Sequence, residues 1–429
     1  MLTKLGWKLL MLSRALWMRT LAFAILAVAT ALIAIALKGF IPESLSGLIG
    51  AEAVDKVLSI LASSMLAVTT FSLSVMVSAH SAAANNLTPR ATRLLLEDST
   101  TQNALATFVG SFVYSLVGII ALSTGIYGDQ GRVILFLVTI AVVVLIVGTI
   151  LLWINHLARL GRVSEIADRV EKAASSAIMR RGEHPWLDGQ RLDNTENIPE
   201  GCQAILPEAT GYVQHIDMQA LNNWATEHDA KLYVTSLPGK FVHPHHPILF
   251  VELKNKNVTA DTPTDSIAKA ITIGDTRSFD QDPRFGLLVM AEIASRALSP
   301  GINDPGTAIE VLGRGVRLIG QWTVTPDDVS DMQVPYSRVF VPRIELEELF
   351  IDFFSPIARD GAGLIEVQIR LQKSLAALAA IDDGFKEVAL QMAQRSLLRA
   401  QQAFNLEADA TTLKQVHDRL FAQQMSPDG

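Results

Sequence analysis

Residues 133–153 read VILFLVTIAVVVLIVGTILLW, a run of 21 side chains without a single charge. A helix needs about 20 such residues to cross the roughly 30 Å hydrocarbon core of a bilayer, so the run predicts a transmembrane helix. Three further stretches of comparable length precede it, at about 16–37, 57–79 and 104–124. The first of these follows Lys4, Lys8 and Arg14. Its apolar run exceeds the ~7–15 residues of a signal-peptide core, so it reads as a retained anchor and not a cleaved leader.

The charge is divided in the same place as the hydropathy. Residues 1–156 carry nine basic and six acidic side chains, whereas the remainder of the 429 residues carries 27 basic and 37 acidic ones. The front is a membrane region and the back has the charge density of a soluble protein. A net acidic back half argues against a nucleic-acid partner, because phosphates demand a basic footprint. The one cysteine, Cys202, excludes an intrachain disulfide and a cysteine-rich zinc site.

Lysine and arginine near the span ends set the expected orientation. Lys4, Lys8, Arg14 and Arg19 precede the first span, Arg90 and Arg93 lie between the second and third, and Arg159, Arg162, Arg169 and Lys172 follow the fourth. The opposite side holds Lys38, Lys56 and Arg132. Both termini and the large acidic region are therefore expected in the cytoplasm.

The second span, LSILASSMLAVTTFSLSVMVSAH, differs from the rest. Ser63, Ala67, Thr70, Ser74 and Ser78 recur every three or four residues and share one helix face. One reading makes Ser63, Thr70, Ser74 and Ser78 pore-lining, since hydroxyl oxygens can replace part of an ion's water shell. The other makes the stripe a packing surface, where small residues admit a neighbouring backbone and hydroxyls bond to their own helix. Gly110, Ser111, Ser115 and Gly118 in the third span favour packing more strongly. No ionisable side chain lies deep in any span, which argues against an ion-coupled transporter.

The run TPRATRLLLEDSTTQNALATFVGSFVYSL, followed later by QDPRFG and RALSPGINDPGTA, resembles a bacterial family of predicted membrane proteins catalogued as domain of unknown function 2254. The resemblance extends over nearly the whole chain. It implies a few spans and a cytoplasmic region in the bacterial inner membrane, and it carries no catalytic residue with it. Within this run, Thr88-Pro89 reads as a helix start leading into an amphipathic helix at headgroup level.

The soluble half divides into three parts by pattern. LARLGRVSEIADRVEKAASSAIMRR continues the last span as a helical stalk, and GEHPWLDGQRLDNTENIPEG reads as a linker, together spanning 157–200. Residues 201–275 alternate short apolar runs with Pro and Pro-Gly turns around a helix near Met218–His228, a small β-rich module. Its segment SLPGKFVHPHHPILFVEL has the look of a barrel-sandwich hairpin. Residues 276–429 are mostly helical, with 3–4 spacing of apolar residues in a bundle pattern and an expected break at Pro356.

Two clusters carry the chemistry. His243, His245 and His246 are the only histidine cluster, and alternation on a strand would point His243 and His245 the same way as weak metal ligands. Asp282-Pro283 and Asp304-Pro305 each combine a capping carboxylate with proline at the first helical position, joining helices over 283–298 and 305–319 through SPGIND. Around this turn, Arg277, Arg296, Ser299, Asn303 and Asp304 form a ligand-binding set for a small anion. An enzyme reading would instead make Asp304 and Glu292 an acid/base pair. The bland reading is capping and salt bridges. No Walker loop, nucleophile elbow or HExxH motif occurs, so no catalytic residue, metal or cofactor is assigned.

The sequence thus predicts an integral membrane α-helical protein with four transmembrane helices plus a cytoplasmic α+β region. Four spans seldom enclose a pore alone, so permeation would need a homo-oligomer. The readings are an oligomeric channel-like protein with a sensing or vestibule domain, a membrane-anchored scaffold, and a tethered enzyme.

Overall fold

The structure is a computed structural model that describes residues 18, 21, 25, 28, 29, 33, 51–86, 88–96, 99–124, 128–159, 162–254, 265–322 and 334–422. The chain forms two compact units. Among the described residues, one comprises 18–85 and 92–165, the other 86–91 and 166–422.

The apolar unit is built from α1 (Ala51–Asn86), α3 (Ser99–Ser123) and α4 (Gly128–Leu157). Among the described residues, three helices are long and apolar enough to cross a membrane: Glu52–Ala83, Thr100–Ser123 and Arg132–Leu157. The expected first span at 16–37 lies largely outside the described residues. Val54, Leu58, Leu61 and Met65 of α1 meet Ala104 and Phe108 of α3 and Leu135, Val142, Ile146 and Trp153 of α4 in one buried cluster. Small residues let the helices approach: a Cβ on Gly118 would stand 3.0 Å from Leu58. Ser111 and Ser115 are fully buried, and Ser115 donates to the Ser111 carbonyl. The third span's small residues therefore serve packing.

Between these helices, α2 (Pro89–Leu96) begins where Thr88-Pro89 predicts, with the Thr88 hydroxyl accepting from the Ala91 amide at 3.4 Å. After α4 the backbone turns, and α5 starts afresh at Val163 and ends at Glu183, so the stalk is not one continuous helix with the last span.

The second unit is mixed α/β. Its main sheet has the order β1-β8-β4-β6-β2, from Gly189–Leu192 (β1), Gln203–Ile205 (β2), Ala230–Val234 (β4), Leu249–Leu253 (β6) and Tyr336–Pro342 (β8). β8 runs parallel to both β1 and β4, while β6 runs antiparallel to β4 and β2. The sheet therefore draws one strand from the expected linker and one from the expected helical region, across both ends of 201–275. The linker reading fails because Trp186, Leu187 and Leu192 are apolar and buried, against an otherwise Gly/Asn/Asp-rich background. Leu187 and Asp188 take positive φ to make the bend before β1.

A smaller sheet, β5-β3-β7, joins Phe241–Val242 (β5), Gly211–Ile216 (β3) and Ile271–Gly274 (β7). The barrel-sandwich hairpin is thereby corrected: β5 and β6 pair into different sheets, because Pro244 and Pro247 interrupt the segment between them. Asp217 caps α6 (Met218–Glu227), which buries Met218, Leu221 and Trp224, and a short helix α7 (Asp265–Ala270) leads into β7.

The rest is helical: α8 (Pro283–Ala297), α9 (Pro305–Ile319), α10 (Leu346–Asp360), α11 (Ile365–Ile381), α12 (Lys386–Ala403) and α13 (Glu407–Phe421). Both predicted Asp-Pro caps are present, Asp282 accepting from the Phe285 amide and Asp304 from the Thr307 amide. Pro356 does not break α10. Its missing N–H costs one hydrogen bond, but Phe350, Phe353, Phe354 and Ile357 line up on one face and are fully buried across it. Arg284 joins α8 to α10 through Asp352 at 2.7 Å.

Candidate functional sites

On α1, Ser63, Thr70, Ser74 and Ser78 are all exposed, on the face opposite the packed residues Val54, Leu58, Met65 and Ser72. The helix buries Val54, Leu58, Leu61 and Met65 with α3 and α4 and leaves the hydroxyl stripe, together with Leu66, Phe71, Leu73 and Val77, outside that cluster. Ser63 donates to the Ser59 carbonyl at 3.0 Å, Thr70 to Leu66 at 2.9 Å and Ser74 to Thr70 at 3.0 Å. Each of these hydroxyls keeps oxygen lone pairs facing outward.

The residues around SPGIND are not gathered into one site. Arg277 forms a two-pronged ion pair with the buried Asp282 at the start of α8, at 2.7 and 2.9 Å. Arg296 stands at the other end of α8, roughly 20 Å away at 1.5 Å per residue, so one small anion cannot bridge both arginines. Ser299 donates to the Arg296 carbonyl at 2.6 Å, and Asn303 takes φ of 50° to close the turn. Both Asp304 oxygens are engaged by Thr307, one by its amide and one by its hydroxyl. The hydroxyl, then the amide, holds the Asp304 carboxyl below the usual carboxylate range. Glu292 is occupied by an ion pair with Arg90 of the same unit. Asp304, Ser299 and Asn303 thus serve as cap and turn-formers, and Arg277 and Glu292 as ion-pair partners.

The histidines lie in the turn after β5, not in alternation along a strand. His243 and His245 have ring centroids 6.2 Å apart, and the His243 Nδ1 accepts from the His245 backbone amide at 3.3 Å. Among the described residues no group of three or more His, Cys, Asp or Glu is arranged to hold a metal ion.

His246 takes part in something the spacing does not reveal. An open cleft of about 550 Å³ at the β2 edge of the main sheet is lined by Cys202, Thr235, Lys240, His246, Pro247 and Phe250, among others. β2 pairs with β6, Gln203 opposite Val251, which sets Cys202 beside the end of that strand. The Thr235 hydroxyl donates to the Pro247 carbonyl at 2.9 Å, pinning the histidine turn against the end of β4. Lys240 is delivered by a turn at Gly239, whose φ of 93° favours glycine and where any Cβ would overlap the Asp282 carboxylate. Lys240 Nζ donates to the Thr235 carbonyl at 3.0 Å.

The electrostatics of the cleft follow from partial burial. Burial pulls the Lys240 ammonium below its ordinary pKa, against an opposing pull from Glu348. Burial, then Lys240 and His243, lower His246, which favours its neutral form. Burial and Glu252 raise the Cys202 thiol, the opposite of what a thiolate nucleophile requires. These side chains come from positions 202, 235, 240 and 246, and only strand pairing unites them. A proline-bounded histidine beside a Pro-Gly-Lys turn was the sole signal in the sequence.

A family profile described as "Predicted membrane protein (DUF2254)" matches residues 13–377. The chain is also 25% identical over 255 residues to uncharacterized proteins of Mycobacterium tuberculosis (MT1328) and Mycobacterium bovis (Mb1321c), covering 58% of this chain and 48% of each relative. It therefore spans about half the length of the curated relatives it matches. No solved structure matches it. Matched over most of its length and carrying the apolar helices that the description requires, the chain belongs to the DUF2254 family of predicted membrane proteins, whose function is unknown.

Proposed function

We propose that the protein is a homo-oligomer of the bacterial inner membrane in which copies meet around the hydroxyl face of α1 and a solute or ion permeates along it. Its role on this reading is conduction without catalysis. The observation that carries it is the exposure of Ser63, Thr70, Ser74 and Ser78 outside the bundle, while the interior between α1, α3 and α4 is filled by side chains. Among the described residues the space between α1, α3 and α4 holds no path, so the path is placed between chains. The lysine and arginine distribution supports a cytoplasmic N-terminus and a cytoplasmic α/β unit, as vestibule or sensor.

A second reading, an anchored signalling scaffold, is favoured by the back-bonding of Ser63, Thr70 and Ser74. Hydroxyls satisfied by their own helix also suit a dry contact between copies. Ion flux through the purified full chain in liposomes separates the two. Flux that Thr70→Leu/Ser74→Leu abolishes, with the oligomer intact on a sizing column, supports permeation. Silence across several ions and voltages supports the scaffold.

A further inference from the structure

The cleft at the β2 edge is independent of any conduction by the apolar unit, and its chemistry is specific enough to name a ligand class. We propose that it binds a small organic monocarboxylate, with the carboxylate at Lys240 Nζ and His246 Nε2 and an apolar body against Phe250 and Pro247.

Three features carry this. The first is an unsatisfied polar atom: His246 Nε2 is buried and has no hydrogen-bond partner among the described residues. A buried polar atom left unpaired costs stability, so a fold that keeps one on a side chain lining a cleft suits a ligand that completes it. The second is an ammonium with donors to spare. Lys240 spends one N–H on the Thr235 carbonyl, and an ammonium has three. The third is the wall itself. Ile198, Pro199, Pro247 and Phe250 supply apolar surface in a volume of about 550 Å³, within the range of small-molecule pockets.

Glu200 decides between anion classes. It lines the same cleft as Lys240, so a carboxylate and an ammonium border one ligand volume. A ligand with one negative charge can sit at Lys240 and leave Glu200 in water. A phosphate dianion would bring twice the charge into the repulsion of Glu200. The cleft is therefore matched to a carboxylate with an organic body.

Cys202, the single cysteine of the chain, lines the cleft and serves as the reporter. The full chain in detergent is labelled with a neutral maleimide, and the rate is followed by mass spectrometry with benzoate, benzyl alcohol or inorganic phosphate, each at about 20 mM. Benzoate is expected to slow labelling about fivefold, as occupancy at several times Kd would, while benzyl alcohol and phosphate leave it within about twofold. Lys240→Gln loses the benzoate effect, read as the ratio of labelling rates with and without benzoate in the same variant, and Lys240→Arg retains it. Absence of benzoate protection, equal protection by benzyl alcohol or phosphate, or protection that survives Lys240→Gln overturns the proposal. Should Lys240→Gln not fold, the exposed Glu200→Gln tests the charge argument alone. Phosphate is expected to protect Cys202 in that variant, and unchanged behaviour overturns the assignment of a monoanion.

Discussion

The Trp153 indole N–H donates to the buried Ser72 hydroxyl at 3.0 Å, from the last turns of α4 to the middle of α1. Ser72 lies two residues from both Thr70 and Ser74, which turns its side chain to the opposite side of the helix. The bond thus fixes the rotation of α1 and holds the hydroxyl stripe outward. Its loss in Ser72→Ala should cost about 0.6–2 kcal/mol, the range for hydrogen bonds between membrane helices. A fall in the thermal midpoint of the purified protein checks this, with Trp153→Phe giving a similar fall and the double variant no additional one.

In the α/β unit, Gly315 of α9 lies against the ring of the fully buried Phe353, and a Cβ at Gly315 would overlap that ring. Gly315→Ala is expected to destabilise by about 1–3 kcal/mol through overpacking. Phe353→Leu in the same chain should recover part of the loss, because it removes the ring edge that the new methyl meets. Denaturant midpoints of the single and double variants measure the coupling.

Arg277 and Asp282 form a buried ion pair beside the α8 N-cap. Burial pushes the Asp282 carboxyl up, and Arg277 works against that push. Arg277→Met would leave a carboxylate that is 1% exposed without its cation, at a cost of about 3–5 kcal/mol. A far smaller loss in chemical denaturation would show that other groups compensate Asp282.

Asp304 titrates lower in the folded chain than in the unfolded one, because the Thr307 hydroxyl and amide favour its charged form. Its contribution is present above the ordinary carboxylate pKa of about 4 and is lost as the pH falls through the lower folded value. Asp304→Ala should cost about 1 kcal/mol at neutral pH, the usual worth of an N-cap. The gap between wild type and this variant should close on acidification below about pH 4, as followed by melting curves.

The local parts of the fold were legible because they depend on neighbours in sequence. Apolar runs marked α1, α3 and α4, and Asp-Pro pairs marked the starts of α8 and α9. Long-range pairing was not legible. β8 joins β1 and β4 from more than 100 positions downstream of either, and nothing in YSRVFVP names its partners. Trp186 and Leu187 hid a buried corner inside a polar stretch, and four aromatic and aliphatic side chains carried α10 through Pro356. The cleft was hidden for the same reason, since Cys202, Lys240 and His246 meet only once β2 and β6 have paired. The stripe on α1 was readable as a stripe, but its outward direction depends on which face Trp153 clasps.

Water along the outward face of α1 is the most direct test of permeation. In a Cys202→Ser background, single cysteines are placed by Ser63→Cys, Thr70→Cys, Ser74→Cys and Ser78→Cys, and by Leu66→Cys, Phe71→Cys, Leu73→Cys and Val77→Cys at exposed apolar positions of the same helix. The reconstituted full chain is treated with a charged thiosulfonate that cannot enter lipid. Permeation along the stripe predicts faster modification at the four hydroxyl positions than at the four apolar ones that flank them. Four unmodified hydroxyl positions would contradict it and leave α1 a dry contact between copies.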